Sequence, residues 1–330
     1  MKRSLFFAVV TSLSIAMPGL LQAQSAGVAG RYPEKPVRVI VPVAAAGGTD
    51  IIARIVLHKL NAGGGQQFVV DNRAGAGGLI GNDIVAKATP DGYTLLFTYA
   101  AHTIVPFIYS RDKVPYDVHK DFAPVILAGQ QPLFLTVNAQ VPVNSVGELI
   151  RFAKEKPSSL NVAWATPSSS GALAAELFKI LTDTKMVSVP FKGGAPALTA
   201  LMQNEVQLIF TTPPTVMPHL KSGRVKVLGI SGERRVPYLP DVPTLGEAGV
   251  KDFDTAPWQG LLAPAGTPTA IIKTLYEKSA AALKAPDVRA KFEAQGTDPV
   301  GLGPKEFGDM INRELAVNSK VIKQVGMRAD

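Results

Sequence analysis

Short apolar runs alternate with amphipathic segments along most of the chain, and this alternation restricts the possible folds more than any other feature. In the first hundred residues, strand patterns at 36–42, 68–71 and 93–98 are separated by helical patterns at 49–60 and 78–88. Helical patterns between buried strands are typical of α/β proteins, in which helices cover a mainly parallel sheet. The sequence therefore predicts a first α/β lobe.

A second series of the same kind begins after two apolar runs, 124–128 and 133–137, which indicate a first crossover between lobes. A proline-rich loop after the strand pattern 225–231 indicates the return crossover. The remaining predictions are helices at 146–156, 171–182, 195–203, 271–283, 286–295 and 304–323 and strands at 160–165, 187–191, 206–210 and 259–263. We therefore predict a clam-shell of two α/β lobes. Lobe 1 comprises 31–127 and 230–330, and lobe 2 comprises 128–229.

Composition excludes several functional classes. The chain has 330 residues, no cysteine and a formal net charge of +8. Without cysteine there is no disulfide framework, no thiolate-bound metal centre and no cysteine nucleophile. The basic excess favours a small anionic ligand or a loosely acidic surface as partner. The basic residues are scattered and are not interleaved with aromatic side chains, so we expect no nucleic acid.

The segment 1–23 has the pattern of a secretory signal peptide. Lys2 and Arg3 precede an apolar stretch from Leu5 to Met17, and small residues follow as far as Ala23. The apolar stretch is shorter than the roughly 20 residues that cross a bilayer, and no later apolar run has the length of a membrane span. We therefore expect export and cleavage, with the small-residue pattern satisfied after Ala23 or after Ser25.

Three loops follow predicted strands and precede predicted helices. Residues 44–50 contain two adjacent glycines, 164–171 contain three serines, and 192–195 add a lysine to two glycines. Exposed N–H groups and helix N-termini at the carboxyl ends of strands favour anions such as carboxylates. Asp50 is expected to cap a helix rather than to contact a ligand, and Trp164 fits either core packing or ligand contact. The candidate ligand-binding residues are Gly47, Gly48, Thr49, Thr98, Trp164, Thr166, Ser168, Ser169, Ser170, Lys192, Gly193, Gly194 and Ala195.

Other chemistries have less support in the sequence. The glycine-rich segment 72–81 lacks the spacing of a dinucleotide fingerprint, because Ile80 stands where the third glycine is required, and it is interpreted as a tight turn. The serines at 168–170 leave open a secreted serine hydrolase, although no G-x-S-x-G elbow surrounds them and their loop contains no histidine. The four histidines are far apart and predict no metal site. His102 directly follows the third strand, where a ligand-facing loop is expected.

Short motifs are distributed over the chain from Tyr32 onward. They are Tyr32-Pro33-x-x-Pro36 leading to Ile40-Val41-Pro42, Gly47-Gly48-Thr49-Asp50 with Ala53-Arg54, Asn72-Arg73-Ala-Gly75-Ala-Gly77-Gly78, Ala88-Thr-Pro90-Asp91-Gly92-Tyr93-Thr94-Leu95, Val189-Pro-Phe-Lys-Gly-Gly-Ala-Pro196, Val242-Pro243-Thr244-Leu245-x-Glu247-Ala248-Gly249 and Ala263-Pro264-x-Gly266-Thr267-Pro268. Together they resemble the substrate-binding proteins of tripartite tricarboxylate transporters, the Bug-type periplasmic receptors. The resemblance implies a monomeric two-lobe periplasmic binding protein of the type II (Venus flytrap) kind. Such a receptor closes on a small carboxylate and presents it to membrane permease subunits, with no catalysis and no cofactor.

The resemblance also implies ligand contacts at residues 47–49, 168–170 and 192–195. The first loop of the family commonly reads Pro-Gly-Gly, whereas this chain has Ala45-Ala46-Gly47, and the second-lobe loop carries Trp164 where a small residue is usual. A tryptophan there should narrow or flatten the pocket. We therefore hypothesise a less typical ligand, aromatic or otherwise apolar beyond its carboxylate, beside the dicarboxylate or tricarboxylate that the resemblance implies. A sensor that docks to a membrane signalling protein remains an alternative to a transport receptor.

Overall fold

The structure is a computed structural model that describes residues 32–232, 234–253 and 255–329. The predicted signal peptide, 1–23, lies outside the described residues. Within the described ranges, no helix is both long enough and apolar enough to cross a membrane.

Strands and helices alternate over the described residues, as the sequence predicts. The strands are β1 (Val37–Val41), β2 (Phe68–Asn72), β3 (Thr94–Tyr99), β4 (Phe122–Gln130), β5 (Phe134–Asn138), β6 (Asn161–Trp164), β7 (Val187–Pro190), β8 (Leu208–Thr211), β9 (Val225–Ile230), β10 (Trp258–Pro264) and β11 (Asp298–Leu302). The α-helices are α1 (Gly48–Ala62), α2 (Leu79–Ala86), α3 (Ala101–Ile108), α4 (Val146–Glu155), α5 (Ser170–Thr182), α6 (Gly194–Met202), α7 (Pro213–Leu220), α8 (Thr269–Lys284), α9 (Pro286–Ala294) and α10 (Pro304–Val325).

The first sheet has the strand order β11-β4-β10-β3-β1-β2 and forms the first lobe with its helices. β1 is parallel to β2 and β3, whereas β10 is antiparallel to β3 and β4, and β11 to β4. Both faces of β1 are buried: Val39 and Val41 belong to one hydrophobic cluster and Ile40 to another. Coverage on both faces explains why β1 is apolar except at Arg38, whose exposed side chain pairs with Asp71 of β2.

The second sheet has the order β7-β6-β8-β5-β9 and forms the second lobe. β6 is parallel to β7 and β8, and β5 is antiparallel to β8 and β9. The two parallel pairs bring the loops after β6 and β7 to one edge of the sheet. These are the loops that contain the serines and the lysine predicted to bind a ligand.

Two connections join the lobes, β4 to β5 through residues 131–133 and β9 to β10 through the segment after Ile230. One hydrophobic cluster includes Leu96 of the first lobe and Phe210 of the second. The helix α10 packs against α3 and β4 in the first lobe and also contacts α5 in the second. The predicted α/β fold of two lobes with two crossovers is therefore confirmed, and apolar packing is continuous between the lobes.

Three elements of the structure, α3, α7 and β11, are absent from the sequence prediction. Pro106 lies inside α3 and Pro218 inside α7, and proline within a helical pattern normally indicates its end. In α7, Pro213 occupies the first turn, where its missing N–H is not needed. β11 contains Pro299 and Gly301, which are depleted in strands, and it lies at the sheet edge, where proline is tolerated.

Candidate ligand-binding cleft

The loops that the sequence singled out lie at the carboxyl ends of parallel strands in both lobes. In the first lobe, β1 and β2 end at the loops 42–47 and 73–78, and in the second lobe β6 and β7 end at 165–169 and 191–193. Ligands of open α/β sheets bind in the crevice at this edge. We refer to the space between these loops as the cleft.

Asp50 holds the first loop in place. It is 1% exposed, and its Oδ2 accepts hydrogen bonds from the Ala46 N–H at 2.8 Å and from Arg54 Nε at 2.9 Å. Its Oδ1 accepts from Asn72 Nδ2 at 2.9 Å. Burial opposes ionisation of this carboxyl, but the hydrogen bonds from Arg54, Asn72 and Ala46 outweigh it and hold the pKa of Asp50 below its usual range. Asp50 therefore fixes the conformation of the first loop through buried hydrogen bonds.

The helix α1 begins differently from the sequence prediction, which read Thr49 and Asp50 as its capping residues. The N-cap is Gly47, which makes no side-chain capping bond, and Thr49 and Asp50 lie buried in the first turn. Gly48 is exposed, and no atom lies within 4 Å of the position that a Cβ would occupy. Because the first N–H groups of a helix have no partner within it, this open N-terminus is suited to an anionic group.

Ala46 adopts a backbone conformation that is unusual for a residue with a side chain. Its φ is +64°, in the left-handed region, where a non-glycine residue costs about 1–2 kcal/mol. Its N–H group is bonded to Asp50, so the strained conformation is fixed from within the lobe. This geometry explains in physical terms why glycine suits the position that Ala46 occupies.

The serines of the second-lobe loop differ in their hydrogen bonds. The hydroxyl of Ser169, the N-cap of α5, accepts from the Ala172 N–H at 3.2 Å and donates to the Thr166 carbonyl at 2.7 Å. The hydroxyl of Ser168 lies 3.4 Å from that of Thr166. Within the described residues no histidine is bonded to serine 168, 169 or 170, so the general base that a serine hydrolase requires is missing there.

Trp164 and the third loop are joined by backbone hydrogen bonds. The Phe191 N–H donates to the Trp164 carbonyl and the Gly193 N–H to the Ala165 carbonyl, both at 2.8 Å. The Trp164 side chain is half-buried, and its Nε1 is inaccessible and has no acceptor among the described residues. Lys192 is exposed and forms no ion pair within the described part of the chain. The structure therefore brings Trp164 and residues 192–194 together. The ammonium group of Lys192 is exposed at this edge of the cleft.

The loop 73–78, which the sequence analysis treated only as a tight turn, connects the two lobes at the cleft. Asn72 binds the first loop, since its Nδ2 also donates to the Val43 carbonyl at 3.1 Å. At the other end of the loop, a Cβ built on Gly77 would lie 3.3 Å from both Cβ and Oγ of Ser168. The glycines of this segment are visible in the sequence and indicate an unusual turn. The sequence does not indicate that Gly77 lies against Ser168 of the other lobe, which only the structure shows.

Two residues near the end of β3 are buried. Thr98 is 1% exposed, and its Oγ1 has no hydrogen-bond partner among the described residues. His102 lies within α3 and is 1% exposed, with its ring 4.8 Å from that of Phe122 and 6.2 Å from that of Tyr116. Burial lowers the pKa of His102 to about 3, so the imidazole is neutral at physiological pH. The expectation that His102 lies in a ligand-facing loop is therefore wrong, because an unpredicted helix carries it into the core.

A cavity of about 1030 Å³ lies beside the crossovers. Gln131 and Ser231 line it from the two connections, and Arg289 and Arg313 line it from α9 and α10. Among the candidate ligand-binding residues, Ser170 alone contributes to its wall. The cavity thus lies mostly outside the loops that form the cleft. The described residues contain no group of three or more histidine, aspartate or glutamate side chains that could hold a metal ion.

The cleft therefore offers groups of the kind that suit an anion. They are helix N-termini, loop hydroxyls and one exposed ammonium group, supplied by two lobes that are in contact at Gly77 and Ser168. Two α/β lobes with two crossovers and such a cleft define a solute-binding protein of the periplasmic-binding class.

Comparison with known proteins gives the family. A family model described as "Tripartite tricarboxylate transporter family receptor" matches residues 52–327. Protein BugT of Bordetella pertussis is 34% identical over 319 residues, which cover 97% of each chain. A structure of an R. palustris protein with adipate is 35% identical, has a TM-score of 0.76 and covers 90% of this chain and 99% of its own. MatC from Rhodopseudomonas palustris with bound malate is 32% identical, with a TM-score of 0.72 and coverage of 88% and 100%.

The chain belongs to the tripartite tricarboxylate transporter receptor family. The members of this family are solute-binding receptors and not enzymes. The resemblance stated from the sequence motifs is therefore confirmed.

Proposed function

We propose that the protein captures a small carboxylate in the cleft and delivers it to the membrane permease subunits of a tripartite transporter. The observation that supports this most is that loops of both lobes, each rich in N–H or hydroxyl donors, come together where Gly77 lies against Ser168. A ligand held by donors from both lobes stabilises the closed arrangement over the open one.

The moving parts in this proposal are lobe 1, residues 31–127 and 230–330, and lobe 2, residues 128–229. In this proposal the connection 131–133 acts as a hinge, because it joins the two sheets with few residues. The ligand contacts in the proposal are the candidate residues of the three loops, with Thr98 and Trp164 at the interior.

The cleft and two relatives support a proposal for the ligand class. Adipate and malate, the ligands in the two solved structures, are both dicarboxylates. This chain is 35% identical to the first of those proteins and 32% identical to the second. A short dicarboxylate can place one carboxylate at the N-terminus of α1 and the other near the N-terminus of α5 or near Lys192. We therefore propose a dicarboxylate of four to six carbons as the first choice. Aromatic acids, for which the ring of Trp164 offers a flat partner, are the second.

The proposal also includes export of the chain to the periplasm. Family members are periplasmic binding proteins, and segment 1–23 has the composition of a signal peptide. We therefore propose that the mature chain begins near residue 24 and acts in the periplasm as a monomer.

A thermal-unfolding screen of the chain from residue 24 tests the ligand class, with succinate, malate, adipate, citrate and benzoate as probes. A ligand that binds only the folded state adds about 2.7 kcal/mol of stability at 100 times its dissociation constant, which is a readily measured shift. The proposal expects a saturable shift with at least one dicarboxylate.

Two pairs of variants locate the site. Gly48→Trp and Lys192→Ala should abolish or weaken the shift. Gly147→Trp is the matched control for the first, because Gly147 is also in the first turn of a helix with nothing within 4 Å of its Cβ position. Lys221→Ala is the control for the second, because Lys221 is exposed and lies outside the cleft loops. An equal loss of binding in a control and its partner variant, or no shift with any acid, would contradict the proposed site or ligand class.

Delivery is tested separately by uptake. Cells that carry the permease subunits but lack this chain should take up the identified ligand only when the wild-type chain is restored. Restoration by Lys192→Ala at ligand concentrations far below its dissociation constant would contradict a role in delivery.

A further inference from the structure

Gly77 occupies a position between the two lobes where a side chain has no room. A Cβ at this residue would lie 2.9 Å from Cγ2 of Val105 in the first lobe and 3.3 Å from Cβ and Oγ of Ser168 in the second. The shorter distance is below normal contact, and the longer one is tighter than most contacts of real Cβ atoms. The backbone of one lobe thus directly meets a side chain of the other.

The first lobe holds this glycine firmly. The hydroxyl of Tyr99 donates to the Gly77 carbonyl at 3.3 Å, and burial, with a smaller effect from Tyr109, raises the pKa of Tyr99 to about 12, so the phenol keeps its proton. Val105 is fully buried in the core. An added side chain would therefore meet Val105 in its own lobe and Ser168 in the other, and only the contact with Ser168 can be relieved without disturbing the buried core of the first lobe.

We propose that Gly77 sets how far the two lobes close, and that it thereby determines which ligand lengths the cleft accepts. This inference rests on the proposed carboxylate-binding function. Ser168 lies on a half-exposed loop of the second lobe, so its contact with a side chain at position 77 is relieved by separation of the lobes, whereas the contact with Val105 strains the first lobe itself. A wider closed state loses contact with short ligands first, because a longer dicarboxylate can still reach both lobes. Gly77 is therefore a specificity-determining residue that need not touch the ligand.

Affinity measurements with succinate and adipate test the inference on Gly77→Ala and Gly77→Val. The control is Gly223→Ala, because Gly223 has φ +66°, close to the +67° of Gly77, but no atom within 4 Å of its Cβ position. Both alanine variants carry the same backbone strain, and Gly77→Ala should lower the melting temperature further because its Cβ also meets Val105. Affinity for succinate should fall at least tenfold in Gly77→Val and less in Gly77→Ala, while Gly223→Ala binds as the wild type does.

The ratio of adipate to succinate affinity is the decisive quantity. It should rise in Gly77→Val if the lobes are held apart. A ratio equal to that of the wild type, or unchanged affinity for both acids, overturns the inference even if the variant is less stable.

A cross-linking experiment separates failure of this inference from failure of the proposed function. The chain has no cysteine, so the double variant Gly77→Cys with Ser168→Cys offers a single possible disulfide. The 3.3 Å between the two Cβ positions is close to the about 3.5–4.5 Å of a disulfide, so oxidation should give an intramolecular bond. A disulfide formed in a protein that binds no carboxylate would refute the proposed ligand but not the lobe contact at Gly77. If no disulfide forms with or without ligand, the inference is wrong.

Discussion

At the scale of single residues, the most consequential side chain that does not face the cleft is Asp50. It connects the first loop, α1 and β2 through Ala46, Arg54 and Asn72, and it is almost fully buried. We expect Asp50→Asn to lower the free energy of unfolding by about 1–3 kcal/mol at pH 7, because it removes a charged acceptor and leaves buried donors poorly satisfied. The exposed residue Asp112, changed to asparagine, is the control.

The pH dependence of this effect has a definite sign. The pKa of Asp50 is lower in the folded protein than its ordinary value of 3.8, so the unfolded state binds the proton more readily. The stabilisation is complete above 3.8 and is lost as the pH falls through the folded pKa. Urea unfolding between pH 7 and pH 2.5 should therefore show a gap between the wild type and Asp50→Asn that narrows below about pH 4. A gap that widens on acidification would contradict this role of Asp50.

For Ala46 we predict a substitution that stabilises the protein, in contrast to Asp50→Asn. Replacing it by glycine removes the cost of a left-handed φ, about 1–2 kcal/mol, and adds the greater flexibility of the unfolded chain, about 0.4–1 kcal/mol. We expect Ala46→Gly to stabilise the protein by up to about 1 kcal/mol in chemical denaturation. Its neighbour Ala45 has no positive φ, so Ala45→Gly should destabilise. If both glycine variants destabilise equally, the strain at Ala46 is not real.

These residues show what the sequence could and could not provide. The loop around Gly47 and Gly48 is recognisable from its glycines and its place after an apolar strand. The bracing by Asp50 is not recognisable, because its partner Asn72 is 22 positions away and becomes a neighbour only through parallel pairing of β1 and β2. The contact at Gly77 is still harder to predict from the sequence, since Ser168 belongs to the other lobe.

At the scale of secondary-structure elements, the N-terminus of α5 combines a structural and a candidate binding role. Ser169 caps the helix, whereas the Ser168 hydroxyl lies 3.4 Å from that of Thr166. We expect Ser169→Ala to lower the free energy of unfolding by about 1 kcal/mol, and Ser168→Ala to change it by less than about 0.5 kcal/mol. Ligand affinity should respond more to Ser168→Ala if its hydroxyl contacts the ligand. Equal stability of the two variants would contradict the capping role.

Element prediction succeeded where burial is continuous and failed where proline interrupts it. The strand predicted at 36–42 is β1, Val37–Val41, because an apolar run between turn residues leaves few alternatives. The helices α3 and α7 form despite Pro106 and Pro218, because packing against the lobes outweighs the local cost. Strand order and the antiparallel placement of β10 and β11 depend on contacts distant in sequence, for which a single chain carries no local signal.

At the scale of the whole molecule, the continuous core between the lobes limits the motion. Because Leu96 and Phe210 belong to one hydrophobic cluster and α10 contacts both lobes, opening must pivot about packed apolar surface. In the cleft loops, Val43 and Phe191 pack against the clusters of their own lobes, and Gly77 meets Ser168 across the lobes. We therefore expect the proposed closure to change the surroundings of the cleft loops more than those of the core.

The two tryptophans of the chain allow this motion to be measured. Trp258 is fully buried, and its Nε1 donates to Glu314 at 2.8 Å, so its surroundings should change little on closure. Trp164 lies half-buried beside the cleft loops, with its Nε1 unbonded among the described residues. We expect a saturating dicarboxylate to change the tryptophan fluorescence, and we expect the change to persist in Trp258→Phe and to disappear in Trp164→Phe. Thermal shift in Trp164→Phe distinguishes a lost reporter from lost binding. A fluorescence change that disappears in Trp258→Phe instead would place the motion in the core, which would contradict hinge closure at the cleft.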